Sequence, residues 1–172
     1  MKLIITAIVI LIALKISHWL LVHETIFVLP KVMKSNICKN GLAHYTTVEN
    51  AKKILNEKQM LSSPDKKSTF PTHRTDRIIW FIYDSDSIAS KISRWNILKR
   101  HSPNFHSGAN NTVRYEVKLI IKGFTEQQIE KMKCNMELGI GCYLASIENV
   151  DISIGKLDNI DRALGIKDDL NC

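Results

Sequence analysis

The sequence lacks the short motifs that mark the commonest nucleotide and metal sites. Its 172 residues include only 7 glycines, and none forms the glycine-rich loop of P-loop or Rossmann nucleotide-binding proteins. Its 4 cysteines include no Cys-x-x-Cys pair and have no histidine at the spacing of a metal ligand, which disfavours a structural zinc site. We therefore expect no metal site, and no nucleotide site of the P-loop or Rossmann kind. The even number of cysteines permits two disulfides in an oxidising compartment or free thiols in a reducing one.

The chain also lacks internal repeats, low-complexity tracts and any sign of wholesale disorder. Apolar residues make up 45% of it, which is enough for the core of one ordinary domain and an appendage. The formal net charge is +7 and the pI is about 9.3. An excess of positive charge favours an acidic partner, either a nucleotide phosphate, a nucleic acid or an anionic membrane surface. The charge alone does not choose among these three.

The first 29 residues form a separate hydrophobic segment. Residues 3–14 are apolar except for Thr6, and apolar runs return between residues 19 and 29. Together, residues 3–29 are long enough to span a bilayer. No small-x-small cleavage site follows the first run, which favours an uncleaved anchor over the signal peptide of a secreted protein. Lysines follow at 31, 34 and 39, so the positive-inside rule predicts a single-pass membrane protein with a cytoplasmic domain.

The remaining sequence predicts a small α+β domain. We interpret residues 30–41 as a polar linker, residues 42–157 as the domain and residues 158–172 as an acidic tail. Apolar runs and alternation predict strands near residues 42–46, 78–83, 113–121, 139–145 and 150–154. Helical spacing predicts helices near residues 48–56, 88–100 and 126–133, and we expect Thr125 to cap the last of these. In the second helix we expect an inward apolar face made of Ile88, Ile92, Trp95 and Leu98.

His44 is the first candidate functional residue. It lies on the predicted strand 42–46, just before a helix that Thr46 or Thr47 can cap. A polar, ionisable side chain is thereby held between two rigid elements. The alternative is a purely structural histidine that hydrogen-bonds to a backbone carbonyl. The residue alone is compatible with both interpretations.

A polar loop over residues 65–77 carries a second group of candidates. Five of its side chains are basic or histidine, and Arg74 and Arg77 stand just before the strand that bears Trp80. Such side chains can hold phosphates through charge-assisted hydrogen bonds. The alternative is a solvated surface loop.

Three features occur along the chain in a recognisable order. They are a His-Tyr-Thr run at residues 44–46 followed by a helix, an Ile-Trp-Phe run at residues 79–81 followed by a Ser/Asp-capped helix, and Glu137 ahead of a late strand. In this order they resemble the His-Tyr-Glu branch of the ADP-ribosyltransferase fold. That branch includes diphtheria-toxin-like enzymes, poly(ADP-ribose) polymerases, tRNA 2′-phosphotransferases and DarT-like DNA modifiers. The resemblance covers residues 42–154.

The resemblance implies a small split β-sheet domain that takes NAD as its substrate. His44 matches the histidine that hydrogen-bonds the nicotinamide ribose. Trp80 matches the aromatic residue that stacks on nicotinamide, although the family usually has Tyr there. Glu137 is the nearest match to the glutamate that stabilises the oxocarbenium-like transition state, with Glu116 as its rival. The implied catalytic residues are His44, Trp80 and Glu137, and the implied cofactor-binding residues are His44, Tyr45, Arg74, Arg77, Trp80 and Tyr83.

Three functions are compatible with these observations. The first is a membrane-anchored, NAD-dependent ADP-ribosyltransferase that modifies a protein or a nucleic acid. Toxins and bacterial or phage proteins are the classes that the resemblance implies, and a role in bacterial conflict or phage defence goes with the second function. The second is a catalytically inactive module of the same fold that binds a nucleotide or a partner. The replacement of Tyr by Trp80 favours keeping this alternative. The third is a membrane-anchored adaptor, held by residues 3–29, whose basic loops bind anionic lipid or nucleic acid.

Overall fold

The computed structural model describes residues 6, 8–15, 27–62, 78–85, 87–99, 115–134 and 139–170, which form an α+β fold. Residues 8–15 lie in a helix, α1. The strands are β1 (Phe27–Val28), β2 (Leu42–Thr46), β3 (Met60–Leu61), β4 (Ile79–Ile82), β5 (Val117–Lys122), β6 (Met132–Cys134), β7 (Gly139–Cys142), β8 (Ser146–Ile147) and β9 (Asp151–Ile154). The other helices are α2 (Lys31–Asn40), α3 (Val48–Glu57), α4 (Ile88–Lys99), α5 (Glu126–Glu130) and α6 (Asn159–Ala163).

Seven strands form one sheet in the order β1-β6-β7-β4-β2-β5-β9, with antiparallel pairing between all neighbours. The interior strand β2 pairs with β5 along its whole length, from Leu42 opposite Ile121 to Thr46 opposite Val117. Its other side pairs with β4. β3 and β8 pair separately as a two-stranded ribbon. A strand that is hydrogen-bonded on both sides opens rarely, so β2 is a firm support for the side chains that it carries.

Hydrophobic cores cover both faces of the sheet. Because successive side chains of a strand point to opposite faces, β2 contributes Leu42 to one core and Ala43 to the other. The large core joins one face to α2, α3, α5 and the ribbon, with Ile37 of α2 fully buried in it. The small core joins the other face to α4 through Leu98 and to the end of α6 through Leu164. The two side chains that follow each other on β2 therefore belong to different environments.

Capping side chains set the beginnings of three helices. The Thr47 hydroxyl accepts a hydrogen bond from the Asn50 amide at the start of α3, as the sequence predicts. Thr125 caps α5, also as predicted, and Gln128 bonds back to it in a capping box. Asp158 caps α6 in the same way. Each such cap is worth about 1 kcal/mol, and together they define where β2 passes into α3 and where α6 begins.

The predicted membrane anchor is wrong for the part of the chain that the structure describes. No helix within the described residues is long and apolar enough to cross a membrane. The last residues of the predicted anchor belong to the domain, because β1 pairs with β6 of the sheet and Leu29 is buried in the large core. The apolar character of Leu29 reflects this packing, whereas Val28 is 76% exposed. The rest of the predicted anchor is only partly described, since residues 1–5, 7 and 16–26 lie outside the described residues.

The split sheet and two segment assignments also differ from the sequence expectation. The strands do not divide into a split sheet, because seven of them form one continuous sheet. The predicted linker contains α2, and the predicted tail contains α6. Each of these helices buries few side chains, Ile37 in α2 and Asp161 in α6. A helix that buries so little keeps a mostly polar sequence, which composition does not distinguish from a linker or a tail.

Candidate functional site

His44 lies in the middle of β2, half-buried, on the face of the large core. Its ring makes an edge contact with Phe81, with centroids 5.8 Å apart. Its Nδ1 lies 2.8 Å from the backbone carbonyl oxygen of Trp80 on β4. A carbonyl oxygen only accepts hydrogen bonds, so Nδ1 carries the proton and donates it. In the neutral ring, Nε2 is then the acceptor. The neighbouring strand therefore selects the tautomer of His44.

The protonation state of His44 follows from its burial. Burial lowers the pKa of His44 below its usual value, and the hydrogen bond to the Trp80 carbonyl opposes this only in part. A desolvated imidazole prefers its neutral form. At pH 7 the site thus presents a neutral ring with an oriented acceptor. The carbonyl contact is the one expected of a structural histidine, whereas the oriented Nε2 is the group that a ligand would use.

Trp80 and Tyr45 do not share a face with the imidazole of His44. Strand alternation directs Trp80 to the side of the small core, where a Cβ added to Gly141 of β7 would lie only 3.1 Å from the indole. The absence of a side chain at Gly141 therefore allows the indole to lie close to the β7 backbone. Tyr45 is buried on this same side of the sheet. The structure thus separates His44 from two aromatic residues that the resemblance groups with it.

Tyr83 and Glu116 are held by other parts of the domain. Tyr83 packs against the large core, and its hydroxyl accepts a hydrogen bond of 2.6 Å from the side-chain amide of Asn36. Glu116 accepts a hydrogen bond of 3.0 Å from the Val48 amide, and its charge suits the N-terminus of α3. Glu116, the rival for the catalytic carboxylate, is therefore engaged in holding this helix. Three other predicted site residues lie outside the described residues: Arg74, Arg77 and Glu137.

A cluster of polar side chains on the face of the small core escapes sequence analysis. We call it the buried charge network, and its members are Tyr45, Asp84, Arg94, Lys118, Asp158 and Asp161. Arg94, Lys118 and Asp161 are only 1%, 3% and 0% exposed, which is rare for charged residues unless they are paired. The side chains of Asp84 and Asp158 are 27% and 42% exposed. The network therefore reaches solvent at these two carboxylates.

Each charge of the network faces an opposite charge. Arg94 donates hydrogen bonds to Asp84 at 2.7 Å and to Asp158. Lys118 donates to Asp84 at 2.7 Å and to Asp161 at 3.1 Å. Asp84 thus joins the two cations, and each cation joins two carboxylates. Such mutual pairing is the condition under which charges are tolerated in a protein interior.

Tyr45 and the backbone of α6 complete the network around Asp161. The Tyr45 hydroxyl donates to Asp161 at 2.8 Å. Burial, followed by the negative charge of Asp161, raises the pKa of Tyr45 well above its usual value, so the hydroxyl stays protonated. The backbone amides of Asp158 and Asp161 each donate to the other residue's carboxylate. Three carboxylates face two cations, and no three His, Cys, Asp or Glu groups among the described residues are placed to hold a metal. The network therefore joins β2, β5, α4 and α6 and offers no evident ligand site.

Helix α4 shows why the network escapes prediction. The expected inward residues Ile88 and Ile92 are 77% and 58% exposed, so that part of the prediction is wrong. The buried side chains of α4 are Ser90, Arg94 and Leu98, of which only Leu98 was expected. Their four-residue spacing is the signal that sequence reasoning could have used. The sequence suggests a surface charge for an arginine in the middle of that row, because its partners Asp84 and Asp158 lie outside the helix, 10 and 64 positions away.

Comparison of the chain with models of protein families, with curated proteins and with solved structures gives no match. The resemblance to the ADP-ribosyltransferases therefore stays a prediction from the order of features in the sequence.

Proposed function

We propose that this domain binds a ribose-bearing nucleotide through His44, with NAD as the first ligand to test. The observation that carries the proposal is the orientation of the imidazole. Nδ1 donates to the Trp80 carbonyl oxygen at 2.8 Å, which leaves Nε2 as an acceptor on an interior strand. A ribose hydroxyl is a donor that such an acceptor can bind. The lowered pKa of His44 supports the proposal, because only the neutral ring has an acceptor.

The charge of the chain supports an anionic ligand. The formal net charge is +7, and α3, which directly follows the strand of His44, carries exposed lysines at its surface. These are Lys52 and Lys53 on α3 and Lys58 just after it. Positive charge near a site raises the local concentration of anions and their association rate. The same helix also exposes Glu49 and Glu57, so the support for a nucleotide with phosphate groups over a neutral sugar comes from the net charge of the whole chain.

The proposal stops at binding and does not include transfer of ADP-ribose. Transfer would need an aromatic platform and a carboxylate beside the ribose, according to the resemblance. The indole of Trp80 lies on the other face of the sheet, and Glu137 lies outside the described residues. The proposed function therefore corresponds to the nucleotide-binding module among the alternatives that the sequence leaves open.

The test separates the two nitrogens of His44. An asparagine side chain places its amide nitrogen near the position of Nδ1, so His44→Asn can keep the bond to the Trp80 carbonyl while it removes Nε2. We expect the Kd for NAD, measured by calorimetry on the full chain, to rise about threefold to tenfold, because one hydrogen bond is lost. The melting temperature should change little. His44→Ala removes both nitrogens and should lower the melting temperature as well.

The controls separate a ribose contact from simple charge attraction. Inorganic pyrophosphate offers the anionic phosphate groups without a ribose, so its affinity should be equal for the native chain and His44→Asn. Absence of NAD binding to the native chain, or equal NAD affinity of His44→Asn and native chain, would refute the proposal. Incubation with labelled NAD tests the stronger alternative. Release of nicotinamide together with attachment of the labelled ADP-ribose to a protein or nucleic acid, both lost in His44→Asn, would identify a transferase.

A further inference from the structure

His44 and Tyr45 are consecutive residues on β2. A contact that fixes the side chain of Tyr45 therefore also restrains the backbone that carries His44. Their side chains leave the strand on opposite faces, His44 towards the large core and Tyr45 towards the small core. The Tyr45 hydroxyl is bound to Asp161 at 2.8 Å. Within the described residues, the imidazole of His44 makes one hydrogen bond, of 2.8 Å to the Trp80 carbonyl, beside its edge contact with Phe81. A small shift or rotation of β2 relative to β4 would break that alignment.

Asp161 is itself held firmly in place. Its side chain is fully buried, and one oxygen accepts from Lys118 of β5 at 3.1 Å while the other accepts from Tyr45 of β2. Its backbone amide donates to Asp158 at 3.0 Å in the capping box of α6. Leu164, just after α6, is also fully buried in the small core. One carboxylate therefore ties α6 to β2 and to the strand beside it.

Within the described residues, Arg94, Asp84 and Asp158 make no side-chain hydrogen bond to β2. Arg94 of α4 binds Asp84 and Asp158, and neither of these carboxylates contacts Tyr45 by a hydrogen bond that the structure gives. The tie between α6 and the strand of His44 thus passes through one hydroxyl and one carboxylate. This makes it possible to remove the tie without dismantling the network.

We propose that Tyr45 and Asp161 are positioning residues that make α6 a latch for the nucleotide site at His44. Tyr45 was expected to contact the cofactor directly, and here it acts from the opposite face of the strand. Pairing with β5 sets the register of β2, and within that register the latch holds the strand in the orientation at which Nδ1 meets the Trp80 carbonyl and Nε2 stays an acceptor. The functional part of this inference depends on the proposed function, while the effect on the imidazole does not.

The test uses Tyr45→Phe in the full chain, because this change removes only the hydroxyl. The ¹⁵N chemical shifts of the His44 ring report its tautomer and, through a pH titration, its pKa, without any ligand. We expect Tyr45→Phe to mix the two tautomers, to bring the pKa of His44 closer to its usual value, and to raise the Kd for NAD several-fold. Asp161→Asn is the second variant, and it should disturb the same signals even if Tyr45→Phe folds poorly.

Leu98→Ala is the matched control, because Leu98 is fully buried in the same small core and has no polar tie to β2. It should lower the melting temperature at least as much as Tyr45→Phe and leave the ring signals of His44 as they are in the native chain. Native ring signals in folded Tyr45→Phe and Asp161→Asn would overturn the latch. If the native chain binds no NAD, the proposed function fails, yet the ring signals still decide whether Tyr45 positions His44.

Discussion

Replacement of Arg94 by methionine tests whether the buried charge network stabilises the domain. Arg94 is 1% exposed and pairs with Asp84 at 2.7 Å and with Asp158. Methionine keeps much of the volume and removes the charge. Loss of one partner from a buried ion pair typically costs about 3–5 kcal/mol. The two carboxylates are 27% and 42% exposed and can regain water, and Arg94 Nε is buried without a partner among the described residues. Both facts place the expected loss of unfolding free energy near the lower limit of that range, at about 3 kcal/mol.

Thermal and urea unfolding measure this loss. A change of about 3 kcal/mol corresponds to a fall in melting temperature of about 6–12 °C for a chain of this size. The control is Lys91→Met, one turn earlier on α4, where the side chain is exposed and the expected change is within about 0.5 kcal/mol. The melting temperature of Arg94→Lys should lie between those of Arg94→Met and Lys91→Met. A lysine keeps the charge but cannot reproduce the contacts that the two terminal nitrogens of Arg94 make with Asp84 and Asp158. Equal melting temperatures for Arg94→Met and Lys91→Met would show that the network adds no stability.

Three further predictions concern two glycines of the backbone, the reactivity of the thiols and the unfolding free energy at low pH. Gly41 and Gly123 both have positive φ, at 77° and 75°. A Cβ added at Gly41 would lie 2.2 Å from a backbone carbonyl oxygen of β5, whereas a Cβ added at Gly123 would lie 3.6 Å from its nearest atom. Gly123→Ala should therefore cost about 1–2 kcal/mol in urea unfolding and Gly41→Ala clearly more; equal costs would contradict the close approach. Cys38 is exposed, whereas Cys142 is buried and its burial raises the pKa of its thiol to about 12. Alkylation of the native chain followed by peptide mapping should therefore modify Cys38 before Cys142, and equal rates at these two thiols would refute this. Although burial opposes the effect, hydrogen bonds from the backbone and from the arginine of α4 hold the pKa of Asp158 below its usual range. Its stabilising contribution is therefore present above the unfolded pKa of about 3.9 and is lost as the pH falls through the lower folded pKa. The difference in unfolding free energy between native chain and Asp158→Asn should shrink in strong acid, and a constant difference would exclude this role.

Several elements of the fold could be predicted from local patterns. The continuous apolar run at residues 78–83 contains β4, and the alternation at residues 150–154 contains β9. Thr47 and Thr125 cap the helices that follow them, as their positions predict. These signals are visible because a strand repeats every two residues, a helix repeats every 3.6, and a cap acts on an amide two or three residues away. Each is a relation between neighbours in the sequence.

The predictions of a membrane anchor and of an inward face of α4 were wrong, because the hydrophobicity of a side chain does not say which surface it packs against. The run that ends at Leu29 reads as a bilayer span, yet its last residues pair with β6 and enter the large core. Ile88 and Ile92 read as core residues, yet they are exposed. In both cases the apolar side chain is evident in the sequence, while its partner depends on the arrangement of elements.

The sequence by itself determined that the chain contains an α+β domain, that His44 lies on a strand before a capped helix, and that the chain carries an excess of positive charge. Only the tertiary structure decided which carbonyl orients His44 and which side chains pair in the small core. The hydrogen bond to Trp80 joins residues 36 positions apart, and the bond from Tyr45 to Asp161 joins residues 116 positions apart. Groups at such separations meet only when the strand order and the helix placement bring them together. The physical reason is that a buried charge is stable only beside its partner, and no local pattern in the sequence records where that partner lies.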